Sequence, residues 1–228
     1  NRFNVILKSR QLGISTLTAA YAVWLAIFYK DKNILVIATK LSVAMNFIKK
    51  VKVALRHLPK WLILPQVVSN NKQSVEFSNG SSVKAIPTSD DAGRSEALSL
   101  LIVDEAAFVR NFDELWMGLY PTLSTGGRAI VLSTPNGVGG QYYELYMKAV
   151  AGENEFNPIK LPWDVHPEHD HTWFENESKN LSEKQVAQEL LCDFAASGET
   201  FLNAADIEYM RSSVMPPLER WGPEMGVW

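Results

Sequence analysis

The sequence lacks several features that would assign it quickly to a class of protein. One cysteine, Cys192, in 228 residues excludes a disulfide scaffold and cysteine-rich zinc sites, and fits a reducing compartment. No apolar run reaches the roughly 18–20 residues that a membrane span needs, and no signal peptide is visible. A basic bias is also missing, since 22 Lys and Arg stand against 25 Asp and Glu, a net charge of −3. A nucleic acid partner would therefore need a local basic patch.

The composition is that of an ordinary globular protein. Hydrophobic residues make up 46% and charged residues 21% of the chain, so a disordered or fibrous protein is excluded. The length predicts one domain, or one domain with a small appendage. The chain does not begin with Met, and Asn1 stands two residues before a strand-like run. We therefore expect a fragment of a longer protein.

Strand-like and helix-like apolar segments alternate along the chain. Strands are predicted at residues 3–7, 33–38, 98–103, 128–133 and 158–164. Helices are predicted at residues 15–29, 41–58, 112–119, 141–151, 172–179 and 182–193, the last with Ser182 as its N-cap. This order predicts an α/β fold with a mostly parallel sheet flanked by helices.

One segment, residues 74–88, breaks this alternation. Val75, Phe77 and Val83 flank Asn79-Gly80, which predicts a β-hairpin with a type I′ turn, an antiparallel insertion in the sheet. Near the other end of the chain, residues 214–228 are rich in Pro and Gly and are expected to form a linker. We therefore predict a core at 1–165, a small helical or lid subdomain at 166–213 and a linker at 214–228.

The turn between the first strand and the first helix lies where a phosphate-binding P-loop would lie. Against the pattern G-x-x-x-x-G-K-[ST], Gly13 and Ser15 match, but Lys8 replaces the first glycine and Ile14 replaces the lysine. The chemistry needs backbone N–H groups at a helix N-terminus, a hydroxyl for Mg²⁺ and a cation for the phosphates. Lys8, from the start of the loop, can supply that cation, and Arg10 adds a second. On this segment alone, a turn with two solvated basic residues is an equally good interpretation.

Two adjacent carboxylates, Asp104 and Glu105, follow the apolar run Leu100-Leu101-Ile102-Val103. Ligands of open α/β sheets bind at the carboxyl ends of the strands. There, one carboxylate can hold Mg²⁺ and the next can polarise a water molecule. An acidic helix start is the alternative for an isolated Asp-Glu pair, and the upstream loop makes the nucleotide interpretation stronger.

Further candidates are weaker on their own. Thr134 and Asn136 follow the next predicted strand and could sense a phosphate, although Pro-Asn-Gly is also ordinary turn chemistry. Arg94 precedes the Asp104 strand and could reach phosphates in its own or a neighbouring subunit, or be a solvated loop residue.

Two other clusters favour structural interpretations. His166, His169, Asp170 and His171 lie around a proline without the spacing of helical metal ligands, so structural or capping roles are favoured. The predicted second helix has a basic face, which is usually a solvated face and less often a DNA contact; its members are Lys49, Lys50, Lys52, Arg56 and Lys60.

Taken in order, these segments resemble the ATPase domain of the large terminase subunit of tailed bacteriophages, the DNA-packaging motor. The resemblance covers about residues 5–202. It rests on Ser9-Arg10-Gln11-Leu12-Gly13 with the displaced Lys8, on Leu101 to Phe108, on Ser133 to Gly137, on Trp163 with His166-Pro167-Glu168, and on Gln188-Glu189 to Ser197-Gly198.

The resemblance implies a P-loop NTPase fold of the ASCE or RecA-like type, with ATP and Mg²⁺. The implied ATP-binding residues are Lys8, Ser9, Arg10, Gln11, Leu12, Gly13, Ile14, Ser15 and Thr16. Ser15 and Asp104 would hold Mg²⁺, Glu105 would activate water, Arg10 or Arg94 would stabilise transferred charge, and Thr134 would couple hydrolysis to movement. An adenine-recognition segment before Asn1 and a nuclease domain after Trp228 are also implied.

The implied partners are double-stranded DNA, the portal protein and the small terminase subunit, with no membrane. The implied setting is the host cytoplasm and, transiently, the procapsid portal. There the subunit would form a homo-oligomeric ring, and the fragment alone is expected to be monomeric.

Two alternatives remain open from the sequence. One is the core of a helicase or another DNA translocase, which would need a second RecA-like domain. The other is a nucleotide-binding docking module that has lost hydrolysis, which Ile14 suggests and Glu105 argues against.

Overall fold

The structure is a computed structural model, and it describes residues 1–63, 65–88, 97–197, 209, 210, 212 and 213. The chain separates into two compact units, Asn1–Gly198 and Glu199–Trp228. All elements discussed below belong to the first unit. Arg94 and the predicted linker at 214–228 lie outside the described residues.

The first unit is built on one eight-stranded sheet. Its strands are β1 Phe3–Lys8, β2 Asn33–Ala38, β3 Val67–Asn70, β4 Ser74–Phe77, β5 Ser82–Pro87, β6 Leu100–Asp104, β7 Arg128–Ser133 and β8 Phe156–Leu161. Their spatial order is β3-β4-β5-β2-β6-β7-β1-β8. Six neighbouring strands are parallel to one another: β5, β2, β6, β7, β1 and β8. The β3–β4 and β4–β5 pairs are antiparallel. The predicted α/β fold is confirmed.

Seven α-helices are found in the described part of the first unit, residues 1–63, 65–88 and 97–197. They are α1 Ile14–Phe28, α2 Leu41–His57, α3 Phe112–Leu119, α4 Gln141–Val150, α5 His171–Ser178, α6 Glu183–Val186 and α7 Phe194–Ser197. Ser182 caps α6 in a capping box with Gln185. The helix predicted at 182–193 changes at Ala187 into a π-helical segment, Ala187–Leu191, and ends where Cys192 takes a left-handed conformation with φ 56°.

Two hydrophobic cores cover the two faces of the sheet. Side chains alternate along each strand: on β1, Val5 and Leu7 join one core and Ile6 joins the other. Helices α1 and α2 pack on the Ile6 face, and α3 and α4 pack on the opposite face. The central strands are buried on both faces, which explains their continuous apolar sequences.

The hairpin between β4 and β5 is present, but its predicted type I′ turn is wrong. The loop has three residues, because Gly80 N donates to Phe77 O (3.1 Å) and Phe77 N donates to Ser81 O (2.9 Å). Only Gly80 in this loop has a positive φ, of 80°. The loop is therefore a tight turn followed by a left-handed glycine.

Two further strand predictions differ from the structure. The last strand runs over Phe156–Leu161 and tolerates Pro158, because β8 is an edge of the sheet. The short strand β3, at the other edge, was not predicted because its side chains are mostly exposed and carry no alternating pattern. In the part of the chain that the structure describes, no helix is long and apolar enough to span a bilayer.

Candidate phosphate-binding site

The sheet register brings the predicted site residues to one edge. Leu7 lies opposite Ser133, and Lys8 lies opposite Leu161. Asp104, the last residue of β6, pairs with Leu132 of β7. Because these strands are parallel and adjacent, the loops that follow them meet at the carboxyl edge of the sheet, where open α/β folds bind ligands.

The loop between β1 and α1 presents unpaired backbone donors. Gln11 and Gly13 have positive φ angles of 60° and 74°, and Gly13 O accepts from Thr16 N and Leu17 N (2.9 Å each), which begins α1. Within the described chain, the N–H groups of residues 11–15 donate to no protein acceptor. They are therefore available to an anion at the N-terminus of a 15-residue helix.

Lys8 lies half-buried among carboxylates. Burial lowers the pKa of Lys8, and the negative charges of Asp104, Glu105 and Glu189 oppose that shift. Ile14, at the usual lysine position, is half-buried and packs against the core on the α1 face of the sheet. The cation of this loop is therefore Lys8, at the start of the loop and close to the carboxylates, and not a lysine at position 14.

The two carboxylates after β6 differ in burial and backbone geometry. Asp104 is 6% exposed, and its Oδ1 accepts from Glu105 N at 3.0 Å. Glu105 is exposed and has a left-handed backbone with φ 56°, which costs a non-glycine residue on the order of 1 kcal/mol or more. Its Oε2 accepts from Thr39 Oγ1 at 3.3 Å.

Thr39 was missed by sequence reasoning. It directly follows β2, the strand that pairs with β6. The sequence shows a hydroxyl residue directly after a predicted strand. It does not show that this strand, β2, pairs with β6, because strand pairing is decided by the tertiary structure.

The segment after β7 is tied to the turn that follows Glu105. Ser133 Oγ accepts from Ala107 N at 3.1 Å, and Asn136 Nδ2 donates to Ala107 O at 3.3 Å. Thr134, between these two residues, is 8% exposed. Hydrogen bonds on both sides of Thr134 therefore connect this predicted motif to the Glu105 turn.

A pocket of about 330 Å³ opens between these elements. It is lined by Lys8, Arg10, Glu105, Phe108, Thr134, Gln188 and Glu189. Four residues predicted for the site thus share one pocket. Phe108, Gln188 and Glu189 were not predicted as site residues.

The remaining predicted ATP-binding residues belong to the loop and the start of α1. Ser15 is half-buried in the first turn of α1, and Thr16 is exposed. Ser9 is fully buried, and its hydroxyl has no hydrogen-bond partner among the described residues. An unpartnered buried hydroxyl is uncommon and fits a loop that folds around a polar ligand.

The segment of the histidine cluster makes capping and stacking contacts. Asp170 caps α5 by accepting from Trp173 N at 2.7 Å. The rings of His166, His169 and Trp173 stack, with centroid distances of 4.2 and 3.6 Å. Among the described residues, no group of three His, Cys, Asp or Glu side chains could hold a metal ion.

Comparison with known families decides the assignment. A family model described as the terminase large subunit, T4likevirus-type, N-terminal, matches residues 5–209. The chain belongs to this family. The terminase prediction is confirmed, and neither the helicase nor the docking-module alternative gains support.

Solved terminase structures share the fold. The large terminase ATPase domain of Thermus phage P74-26 gives a TM-score of 0.71 at 21% identity, covering 85% of this chain and 89% of that chain. The large terminase of a thermophilic bacteriophage, in complex with ADP, gives 0.70 at 11% identity, covering 85% of this chain and 48% of that chain. The HK97 bacteriophage large terminase gives 0.59 at 14% identity, covering 93% and 43%. The chain thus spans about half the length of the two longer terminases.

Proposed function

We propose that this terminase domain hydrolyses ATP with Mg²⁺ and couples hydrolysis to packaging of double-stranded DNA. The observation that carries the proposal is the convergence of Lys8, Arg10, Glu105 and Thr134 on one pocket beside a loop with free N–H groups. The solved complexes of the thermophilic bacteriophage terminase with ADP and ATP-gamma-S support a nucleotide as the ligand.

The residues take the following roles in this proposal. Lys8 and the free N–H groups of residues 11–15 bind the phosphates, in the geometry of an anion at a helix N-terminus. The Ser15 hydroxyl and the Asp104 carboxylate are oxygen ligands of the type that Mg²⁺ prefers. When bound, Mg²⁺ neutralises charge on the phosphates. Glu105 orients and deprotonates the attacking water, and Arg10 or Arg94 stabilises the charge that develops.

Thr134 links the phosphate site to movement. It belongs to the segment that is hydrogen-bonded to the turn after Glu105. A change in the Glu105 turn would therefore be transmitted to this segment first.

The partners follow from family membership and remain part of the proposal. They are DNA, the portal protein, the small terminase subunit and further copies of this chain in a ring, in the host cytoplasm and at the procapsid portal. For DNA, the basic face of α2 is the surface that charge favours. The division into a core at 1–165, a lid at 166–213 and a linker at 214–228 is proposed on the same basis.

Glu105→Gln tests the proposal. This variant should keep its affinity for ATP-gamma-S and lose turnover by about 10²-fold or more, since a general base contributes on the order of 10²–10⁴. Phosphate release and nucleotide titration measure the two effects. Glu114→Gln, an exposed acid on α3, is the matched control. Unchanged phosphate release in Glu105→Gln would remove Glu105 from the mechanism.

A further inference from the structure

The segment that carries Thr134 borders two cavities. This Thr134 segment, residues 133–137, begins at the last residue of β7. Thr134 lines the phosphate pocket together with Glu105, and Asn136 and Gly137 line a second cavity of about 300 Å³. Because open space adjoins the segment at both cavities, packing there is incomplete. Hydrogen bonds must therefore carry much of its positioning.

Two of these hydrogen bonds lead to the turn after Glu105. Ser133 Oγ accepts from Ala107 N, and Asn136 Nδ2 donates to Ala107 O. Both bonds hold Thr134 close to the Glu105 turn. They leave the far end of the segment, where the chain turns away from the phosphate pocket, to a different partner.

Ser197 of α7 is the partner at the far end. Its side chain is fully buried, and its Oγ accepts from Gly137 N at 3.0 Å and donates to Phe194 O at 3.0 Å. The hydroxyl thus uses both its proton and a lone pair. Because the contact is buried, removal of the hydroxyl would leave the Gly137 N–H without a partner, which is costly.

The helix that carries Ser197 is anchored in the core. The Phe194 side chain is buried, and its ring packs on three rings of α4 at centroid distances of 5.0, 5.8 and 6.2 Å, those of Tyr143, Tyr146 and Tyr142. Tyr142 is tied to the sheet in turn, since its hydroxyl donates to Ile6 O at 2.7 Å. A continuous path of contacts therefore runs from β1 through α4 and Phe194 to Ser197.

We propose that Ser197 is a positioning residue for Thr134: its hydroxyl anchors the end of the Thr134 segment to the core and so keeps Thr134 in the phosphate pocket beside Glu105. The proposal rests on the proposed function and adds a residue outside the pocket on which turnover depends. Ser197 lies outside the lining of the phosphate pocket. Its loss should therefore change turnover and not the affinity for nucleotide.

Steady-state phosphate release by the full chain tests the proposal. Ser197→Ala should lower kcat about tenfold and leave the KM for ATP within about twofold, since an unpaired Gly137 N–H shifts the segment and small displacements in a site are costly to the rate. Ser178→Ala is the matched control, because the Ser178 hydroxyl donates to Phe174 O within its own helix, α5. It should leave kcat within about twofold.

A double-variant cycle separates positioning from a general loss of structure. Thr134→Val removes the hydroxyl that Ser197 is proposed to position, and it should lower kcat by itself. In that background Ser197→Ala should cause less than about a twofold further loss, whereas a general structural defect would add its full factor. If thermal unfolding shows that Ser197→Ala is not folded, Ser197→Cys takes its place, because a thiol fills similar space and is only a weak acceptor.

Three results would overturn the proposal. They are a wild-type kcat in folded Ser197→Ala, a loss of the same size when Thr134→Val is already present, and a loss of equal size in Ser178→Ala. The second result would mean that Ser197 supports the fold without acting through Thr134.

A nucleotide-free measurement distinguishes a failure of this proposal from a failure of the proposed function. Hydrogen exchange of the Gly137 amide should be about tenfold faster in Ser197→Ala than in wild type, and unchanged in Ser178→Ala. Wild-type protection in Ser197→Ala would show that Ser197 does not hold the segment. If wild type hydrolyses no ATP, the proposed function fails, and the exchange comparison still decides whether Ser197 anchors the Thr134 segment.

Discussion

The two ends of the sheet have opposite charge, although the whole chain is close to neutral. Residues 32–75, which include α2 and the edge strand β3, contain eight Lys and Arg and no Asp or Glu. Residues 153–197, which begin before the opposite edge strand β8, contain ten Asp and Glu against three Lys. The net charge of −3 therefore conceals two strongly charged regions.

The charges are also used differently at the two ends. At the β8 end, Glu189 pairs with Arg10 and Asp170 caps a helix. At the α2 end, Lys49 and Lys52 contact only neutral oxygens, of Asn46 and Asn71. In the described chain no α2 cation pairs with a carboxylate. Acids near the phosphate loop thus balance its cations internally, whereas the α2 cations remain available to a polyanion.

Lys8→Ala is expected to have the largest effect. It removes the half-buried cation at the β8 end of the sheet. With it goes a charge-assisted contact to the phosphates that is worth about 1.5–3 kcal/mol. ATP binding should weaken about tenfold to a hundredfold, and turnover should fall further because charge develops on the phosphate oxygens. Isothermal titration and phosphate release measure the two losses.

Lys148→Ala, an exposed cation on α4, is the control for Lys8→Ala. Adding Ile14→Lys to Lys8→Ala should restore part of the affinity, since it recreates the ordinary lysine position. Normal hydrolysis by Lys8→Ala would make Arg10 the essential cation of the loop.

The second prediction concerns the α2 end. Replacing Lys49, Lys52 and Arg56 together with Gln should weaken binding to double-stranded DNA about tenfold, and each lost phosphate contact should lower the slope of log K against log salt by about 0.9. Fluorescence anisotropy at several salt concentrations measures both quantities.

The matched control for the α2 variant lies at the acidic end. Replacing Lys160, Lys179 and Lys184 with Gln makes the same change in net charge and should leave DNA binding within about twofold, since these cations belong to a segment with ten Asp and Glu, which repels DNA. Equal losses in the two triple variants would show that only net charge matters and that the two ends do not differ in function.

The smallest predicted effect is a change in stability, and it concerns the N-terminal caps of α2 and α6. Helix α6 has a capping box, whereas α2 begins at Lys40 with no side-chain cap and no acid in its first turn. Lys40 has φ −138° and ψ 152°, the extended conformation of an N-cap. Lys40→Asp should therefore raise the free energy of unfolding by about 0.5–1 kcal/mol.

Urea denaturation measures this gain in stability. Lys40→Ala is the control, because it removes the same charge without adding a cap. A gain of equal size in Lys40→Ala would assign the effect to the lost cation and not to capping.

Features that depend on local pattern could be predicted from the sequence alone. They include the apolar runs that form β2 and β7, the β4–β5 hairpin, and the loop from Lys8 to Ser15, because strand burial and loop chemistry are encoded in adjacent residues. Placing Asp104 and Thr134 at one edge needed only the rule that parallel strands end together.

Contacts between distant residues depended on the tertiary structure. Thr39 meets Glu105 because β2 pairs with β6, and Glu189 meets Arg10 because the segment after α6 packs against the phosphate loop. The left-handed backbone of Glu105 and the π-helical segment also carry no local signal. Such features are stabilised by packing across the whole sheet and not by the propensities of neighbouring residues.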